Sequence, residues 1–149
     1  MLVPDQLAII DGLLALPFPD RGLREGNLVS GSGFHLRVLA ASRDFWDDRG
    51  TEVVEEAQAA VDAAFGAVAA ALSARWGDPE TVDLAPYLWG ADPAPEPMGW
   101  LCQLGGAMDV WRPPGVRWVA LAVGQADPEF PIELLAAVAE TPIRPGGRG

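Results

Sequence analysis

The hydrophobic residues of the chain form one long stripe with helical spacing and several shorter runs that are typical of strands. Over residues 52–76 the apolar positions recur every three or four residues, as on one face of a helix. They are Val54, Ala57, Val61, Phe65, Val68, Leu72 and Trp76. Thr51 precedes the stripe as a candidate N-cap, and Gly77 follows it as a candidate C-terminal stop. We predict one helix of roughly 37 Å, at 1.5 Å per residue, with Val61, Phe65, Val68 and Leu72 facing a sheet.

Residues 108–125 carry the pattern of a β-hairpin. Two apolar runs flank the sequence Arg-Pro-Pro-Gly at 112–115. Proline fixes φ and glycine accepts a positive φ, so the chain can reverse there. The second run, 116–123, is apolar at nearly every position, which is typical of a strand that is covered on both faces. We expect this run to form a central strand of the sheet.

The remaining segments complete the predicted fold. Residues 34–41 predict a strand with Phe34, Leu36, Val38 and Ala40 on one face and His35 on the other. Helices are expected at 4–16 and 132–140, and further strands at 28–29, within 81–89 and at 99–104. There is no internal repeat and no linker. The pattern predicts a single α+β domain over 1–149, frayed from about residue 143. Its mostly antiparallel sheet would have about four to five strands, with the long helix on one face and short helices at both ends.

Charge narrows the classes of partner. The net charge is −11, with 21 acidic residues against 10 basic ones, and every basic residue is an arginine. The absence of lysine, together with many alanines, glycines and prolines, is typical of a high-GC genome such as that of an actinobacterium. The acidity argues against binding to nucleic acid or to an anionic membrane surface. It is compatible with a basic protein partner, and equally with a role in solubility alone.

Several features point to the cytoplasm. Cys102 is the only cysteine, so the chain cannot form an internal disulfide. Asp5 and Asp11 interrupt the first apolar residues, and no basic segment precedes them, so we expect no signal peptide. We also expect no apolar run that approaches the length of a membrane span. Cys102 lies in an apolar run with no basic neighbour, which favours a buried, unreactive thiol.

Catalytic and cofactor motifs are missing from the sequence. His35 is the only histidine, and there is no Gly-x-Ser-x-Gly sequence. P-loops and Schiff-base sites need a lysine, and a zinc site needs more than one cysteine and one histidine. Four acidic residues, Asp44, Asp47, Asp48 and Glu52, could gather a hard cation, but their spacing is not that of an EF-hand. We therefore expect no catalytic residue, metal or cofactor, and a Ser–His pair stays open as the alternative.

Aromatic residues among acids suggest a surface for a protein partner. Of six tryptophans, Trp46 in an acidic loop and Trp89 beside a proline-rich loop are the ones we expect to be exposed. Such rings can anchor a partner rich in Lys and Arg, although both could instead fold back onto helix ends. The predicted partner-binding residues are Asp44, Trp46, Asp47, Asp48, Glu52, Glu55, Glu56, Trp89, Asp92 and Glu96.

In its acidity and its predicted order of helix, strands, helix, strands and helix, the chain resembles two groups of proteins. One is the immunity proteins of bacterial polymorphic toxin systems, and the other is the type III secretion chaperone-like proteins. The resemblance implies protein binding rather than chemistry and assigns no residue a role. The leading hypothesis is a protein that masks or stabilises a basic partner. The alternatives are an accessory or structural subunit of a larger assembly, and a small-molecule-binding protein or minor enzyme with a tryptophan-lined pocket. The oligomeric state stays open.

Overall fold

A computed structural model describes residues 3–84, 101, 106–115 and 117–140. Their elements are α1 (Val3–Ala15), β1 (Leu23–Glu25), β2 (Leu28–Gly31), β3 (Phe34–Ala41), α2 (Thr51–Trp76), β4 (Glu80–Asp83), β5 (Ala107–Trp111), β6 (Trp118–Gly124) and β7 (Glu133–Ala139). The strands form one sheet in the order β1-β2-β3-β7-β6-β5-β4, and every neighbouring pair is antiparallel. The predicted α+β class, the antiparallel sheet and the long helix are confirmed. The predicted four to five strands were too few, because the described residues form seven.

The centre of the sheet is the segment that the sequence assigned to a final helix. Residues 132–140 were expected to be helical, but Glu133–Ala139 is strand β7, which pairs with β3 on one side and β6 on the other. Its leucines and alanines have high helix propensity. A strand that is covered on both faces also loses the alternation by which strands are recognised. Pairing with two neighbours therefore overrides the local preference, and the prediction of a helix at both ends was wrong at this end.

Each face of the sheet has its own core. On β7, Leu134, Ala136 and Val138 point toward α1 and α2, while the alternate residues point to the opposite face. The helix-side core also contains Ile10, Leu13, Leu39, Phe45, Val61, Val68, Leu72, Trp111, Val119, Leu121 and Ile132. The opposite core contains Phe34, Leu36, Val82, Leu84, Leu101, Met108, Val110, Ala120, Ala122, Leu135, Ala137 and Ala139. The chain thus buries apolar side chains on both sides of one sheet.

Helix α2 agrees closely with the stripe predicted at 52–76. Gly77 ends it with φ of +87° and donates its N–H to the Ser73 carbonyl at 2.8 Å. The N-terminal prediction was wrong, because Gly50 is the cap, Thr51 is already helical, and no side chain caps this end of the helix. Three of the four residues predicted to face the sheet are buried, whereas Phe65 is only half-buried.

The hairpin and the third strand were also predicted, with two local corrections. β5 and β6 pair antiparallel, and Gly115 in their turn has φ of +118°. Strand β3 has the predicted limits, but its pairing with β7 shifts register between Val38 and Ala40. Ala40 therefore packs on the helix-side core instead of joining Val38 on the opposite face. Leu101 is helical and buried, so the strand predicted at 99–104 is wrong at that residue. The rest of that strand, with Cys102, lies outside the described residues.

Helix α2 has the length and composition of a membrane span, with a mean hydropathy of 1.4 over its most apolar window. The expectation that no segment approaches such a span therefore does not hold for this helix. Alanine supplies much of its apolar character, and its buried side chains rest on the sheet. One helix of this kind is weak evidence for membrane insertion, and 17% of its most apolar window is buried in the fold.

Candidate partner-binding surface and the buried Ser–His pair

Two loops are joined at one end of the central strands. They are residues 42–50, between β3 and α2, and residues 125–131, between β6 and β7. The Phe45 N–H donates to the Glu129 carbonyl at 2.8 Å, and the Ile132 N–H donates to the Ser42 Oγ at 2.9 Å. The Arg49 guanidinium lies 3.0 Å from the Glu129 carboxylate. The Phe45 ring is fully buried in the helix-side core. Loop 42–50 is therefore fixed both by hydrogen bonds to the second loop and by the burial of Phe45 in the core.

Directly beside this buried anchor, Trp46 points outward. Its side chain is 60% exposed, and its ring lies 5.6 Å from the ring of Phe130 at an interplanar angle of 60°. Phe130, in the second loop, is itself 38% exposed. This tilted arrangement is a favourable aromatic geometry. The predicted exposure of Trp46 is confirmed, and its aromatic contact is with a loop residue rather than with a helix end.

Acidic side chains share the same two loops. Asp44, Asp47 and Asp48 are exposed, and Glu129 is half-buried in its ion pair. We call these four acids together with Trp46 and Phe130 the acidic aromatic surface. The other predicted acids of this region, Glu52, Glu55 and Glu56, are exposed in the first two turns of α2, directly after the loop. Trp89, Asp92 and Glu96 lie outside the described residues.

Sequence reasoning missed the contribution of loop 125–131. The sequence Asp-Pro-Glu-Phe-Pro at 127–131 directly precedes the helix predicted at 132–140. It contains the same combination of acids and an aromatic ring that drew attention to Trp46. The signal was therefore present, but the contact between Trp46 and Phe130 follows from the position of β7 at the centre of the sheet.

A cleft of about 390 Å³ adjoins the beginning of loop 42–50. It separates the end of β3 from the first half of α2, and small apolar side chains dominate its lining, with Arg43 and Glu56 as the charged members. The other lining residues are Ala40, Ala41, Ser42, Val53, Ala57, Ala60, Val61 and Ala64. Among the predicted partner-binding residues, Glu56 is the one that borders this cleft.

His35 on β3 and Ser30 on the neighbouring strand β2 form a buried hydrogen-bonded pair. The Ser30 Oγ lies 2.5 Å from His35 Nδ1, and His35 Nε2 lies 3.0 Å from the Leu16 carbonyl. Because a carbonyl only accepts, Nε2 carries the proton, and Nδ1 accepts from the Ser30 hydroxyl. Phe18 stacks on the imidazole at 4.7 Å, and the Arg117 guanidinium stacks on Phe18 at 3.9 Å.

This pair is built to stay neutral. Burial lowers the pKa of His35, and the charge of Arg117 acts in the same direction, while the hydrogen bond to the Leu16 carbonyl opposes the shift. Both side chains of the pair are 1–2% exposed. A substrate has no access to Ser30, so the pair joins β2 and β3 to the end of α1 rather than forming a nucleophile and base.

Across residues 3–84, 101, 106–115 and 117–140, no group of three His, Cys, Asp or Glu side chains could hold a metal ion. Comparison of the chain with protein-family models, curated proteins and solved structures found no match.

Proposed function

We propose that this chain is a small acidic cytoplasmic domain that binds a basic protein partner through the acidic aromatic surface. Its role would be to mask or stabilise that partner, as an immunity protein or a chaperone does. The observation that carries the proposal is the exposed Trp46 ring, which is packed on Phe130 between acidic side chains. Tryptophan and other aromatic residues are enriched at the centre of protein–protein interfaces, and a polar, solvent-accessible rim surrounds them.

The support under Trp46 favours binding rather than an incidental exposed ring. Phe45, the preceding residue, is fully buried, and its backbone is hydrogen-bonded to the Glu129 carbonyl. The Arg49–Glu129 ion pair and the ring of Phe130 hold the two loops together. A surface whose shape is fixed before binding loses less conformational entropy when the partner arrives. The loop can therefore present Trp46 in one orientation.

Charge defines the chemistry of the partner. A Lys or Arg side chain can stack over the free face of Trp46 and at the same time lie near the carboxylates of Asp47 and Asp48. At the rim, these acids would increase the association rate for a basic protein more than its final affinity. The ring would instead determine how long the complex lasts, because buried aromatic anchors contribute most of the binding energy.

The test is capture of partners from the native host by the wild-type protein and by the double variant Trp46→Ala, Phe130→Ala. Leu16→Ala is the matched control. Leu16 is also an exposed apolar side chain, at 39%. Its carbonyl accepts a hydrogen bond from Arg117, which directly precedes β6. Leu16 therefore lies near the start of β6, whereas loop 125–131 follows the end of that strand. Circular dichroism establishes that each variant is folded.

The proposal predicts that wild type and Leu16→Ala retain the same basic protein and that the double variant loses it by about tenfold or more, as expected for an aromatic anchor. Equal retention by the double variant would place the binding surface elsewhere. An acidic partner would contradict the proposed charge complementarity.

A further inference from the structure

The sheet face opposite the two helices contains a second groove, of about 390 Å³. Its floor is apolar and is formed by Val29, Leu36, Val38 and Leu135, which come from β2, β3 and β7. Ala126, Phe130 and Pro131 of loop 125–131 form one wall, and the polar lining residues are Arg24, Asn27 and Glu133, beside Gly26. The volume lies within the range of pockets that hold small organic molecules. None of the described lining residues is a tryptophan, so this is not the tryptophan-lined pocket of the sequence hypothesis.

The strand register places the charged residues Arg24 and Glu133 on the same face of the sheet as the apolar floor, but on different strands. Arg24 on β1 pairs with Val29, and Val29 pairs with Leu36 on β3, so these three side chains share one cross-strand row. Glu133 lies two residues before Leu135 on β7 and therefore shares its face. From β1 to β7 there are three inter-strand steps, about 14 Å at ~4.8 Å each, and the row of Arg24 meets β7 at Ala137, four residues along the strand from Glu133. The backbones of Arg24 and Glu133 therefore lie diagonally across the apolar floor, and both side chains line the groove.

Arg24 and Glu133 do not pair directly. In the described part of the chain, the ion pairs within 4.0 Å join Arg49 to Glu129 and Arg75 to Asp11. Burial raises the pKa of Glu133, and the more distant positive charge of Arg24 only partly opposes this shift. A half-buried carboxylate without a close cation is an unfavourable arrangement for the folded protein alone. A ligand that supplies the cation would relieve it.

We propose that this groove is a binding site for a small zwitterion in which an apolar segment separates an ammonium group from a carboxylate. The ammonium would pair with Glu133, the carboxylate would pair with Arg24, and the apolar segment would lie on Val29, Leu36 and Val38. A ligand with only a positive charge would meet Arg24 without compensation, and one with only a negative charge would meet Glu133. A wholly apolar ligand would desolvate both charges without pairing either. The site is separate from the proposed partner-binding function, although Phe130 borders both.

Three probes of similar length test the charge requirement on the wild-type protein. They are 6-aminohexanoate, hexylamine and hexanoate, titrated by calorimetry and by two-dimensional NMR up to roughly 10 mM, where even weak sites are occupied. We expect 6-aminohexanoate to bind about tenfold or more tightly than either probe with one charge, because each loses one ion pair. NMR shifts should concentrate on β2, β3 and β7 around the floor. Equal binding of the three probes, or no binding at all, would overturn the proposal.

Charge-neutral variants then assign each end of the ligand. In Glu133→Gln the advantage of 6-aminohexanoate over hexanoate should disappear, and in Arg24→Gln its advantage over hexylamine should disappear. Arg21→Gln removes an exposed arginine that does not line the groove, and it should bind all three probes like wild type. Wild-type binding by both groove variants would refute the assignment. Thermal unfolding provides a second readout, because replacing the desolvated Glu133 charge should leave the melting temperature unchanged or higher. A large loss of stability would show that the carboxylate already has a structural partner.

Discussion

The neighbours Phe45 and Trp46 provide a sharp test of how loop 42–50 is built. Phe45 is fully buried in the core under α1 and α2, whereas Trp46 is 60% exposed and contacts Phe130. Phe45→Ala should lower the free energy of unfolding by about 3–5 kcal/mol, the usual loss for a buried phenylalanine. Trp46→Ala removes only an exposed ring pair and should cost about 0.5–1.5 kcal/mol.

Urea unfolding followed by far-UV circular dichroism separates these values. With a denaturant dependence of ~2 kcal/mol per M, the Phe45 variant should shift the midpoint by roughly 1.5–2.5 M and the Trp46 variant by less than about 0.8 M. A loss under about 1 kcal/mol for Phe45→Ala would mean that the loop is not anchored in the core. An equal, large loss for Trp46→Ala would make this tryptophan a core residue and remove the anchor of the proposed surface.

Two further predictions concern the histidine and the long helix. Because burial lowers the pKa of His35 below its usual 6.5, the unfolded state binds more protons, and stability is lost as pH falls through that range. His35→Gln should therefore be less stable than wild type near about pH 7.5, with the gap narrowing toward about pH 5; parallel melting curves would contradict this. On α2, Leu72→Ala should cost about 2–5 kcal/mol and the half-buried Phe65→Ala roughly 1.5–2.5 kcal/mol. The opposite order in urea unfolding would mean that the helix presents a different face to the sheet.

The sequence predicted the elements whose periodicity is clear. The apolar stripe of α2 could be recognised because one face of the helix rests on the sheet while the other meets water. Apolar and polar positions therefore separate along the sequence. The hairpin at 108–125 was predicted for a different reason, since the Pro-Pro-Gly turn restricts the backbone locally. Both signals depend on short stretches of chain, which is why they could be recognised without knowledge of the rest of the fold.

The central strand could not be recognised in the same way. Residues 133–139 read Glu-Leu-Leu-Ala-Ala-Val-Ala, a composition that favours a helix, and their strand conformation comes from pairing with β3 and β6. The misassignment also hid part of the candidate surface. Once β7 lies next to β3, loop 125–131 must meet loop 42–50, and Phe130 reaches Trp46. The acids beside Trp46 were visible in the sequence, whereas this second half of the surface depended on a contact distant along the chain.

Association kinetics with the captured partner are the most direct test of binding through the acidic aromatic surface. The rate constants would be measured at low and high salt for wild type, for Trp46→Ala, and for a variant in which Asp47, Asp48 and Glu55 are changed to Arg. We expect wild-type association to slow as salt rises, because the Debye length is about 8 Å at physiological ionic strength and shrinks above it. The charge-reversed variant should associate most slowly, and circular dichroism must first show that it is folded, because Asp48 accepts the Gly50 N–H at 2.9 Å beside the N-terminus of α2. Trp46→Ala should mainly dissociate faster. An association rate that does not change with salt or with the reversed charges would contradict electrostatic steering by these acids, which would then serve solubility alone.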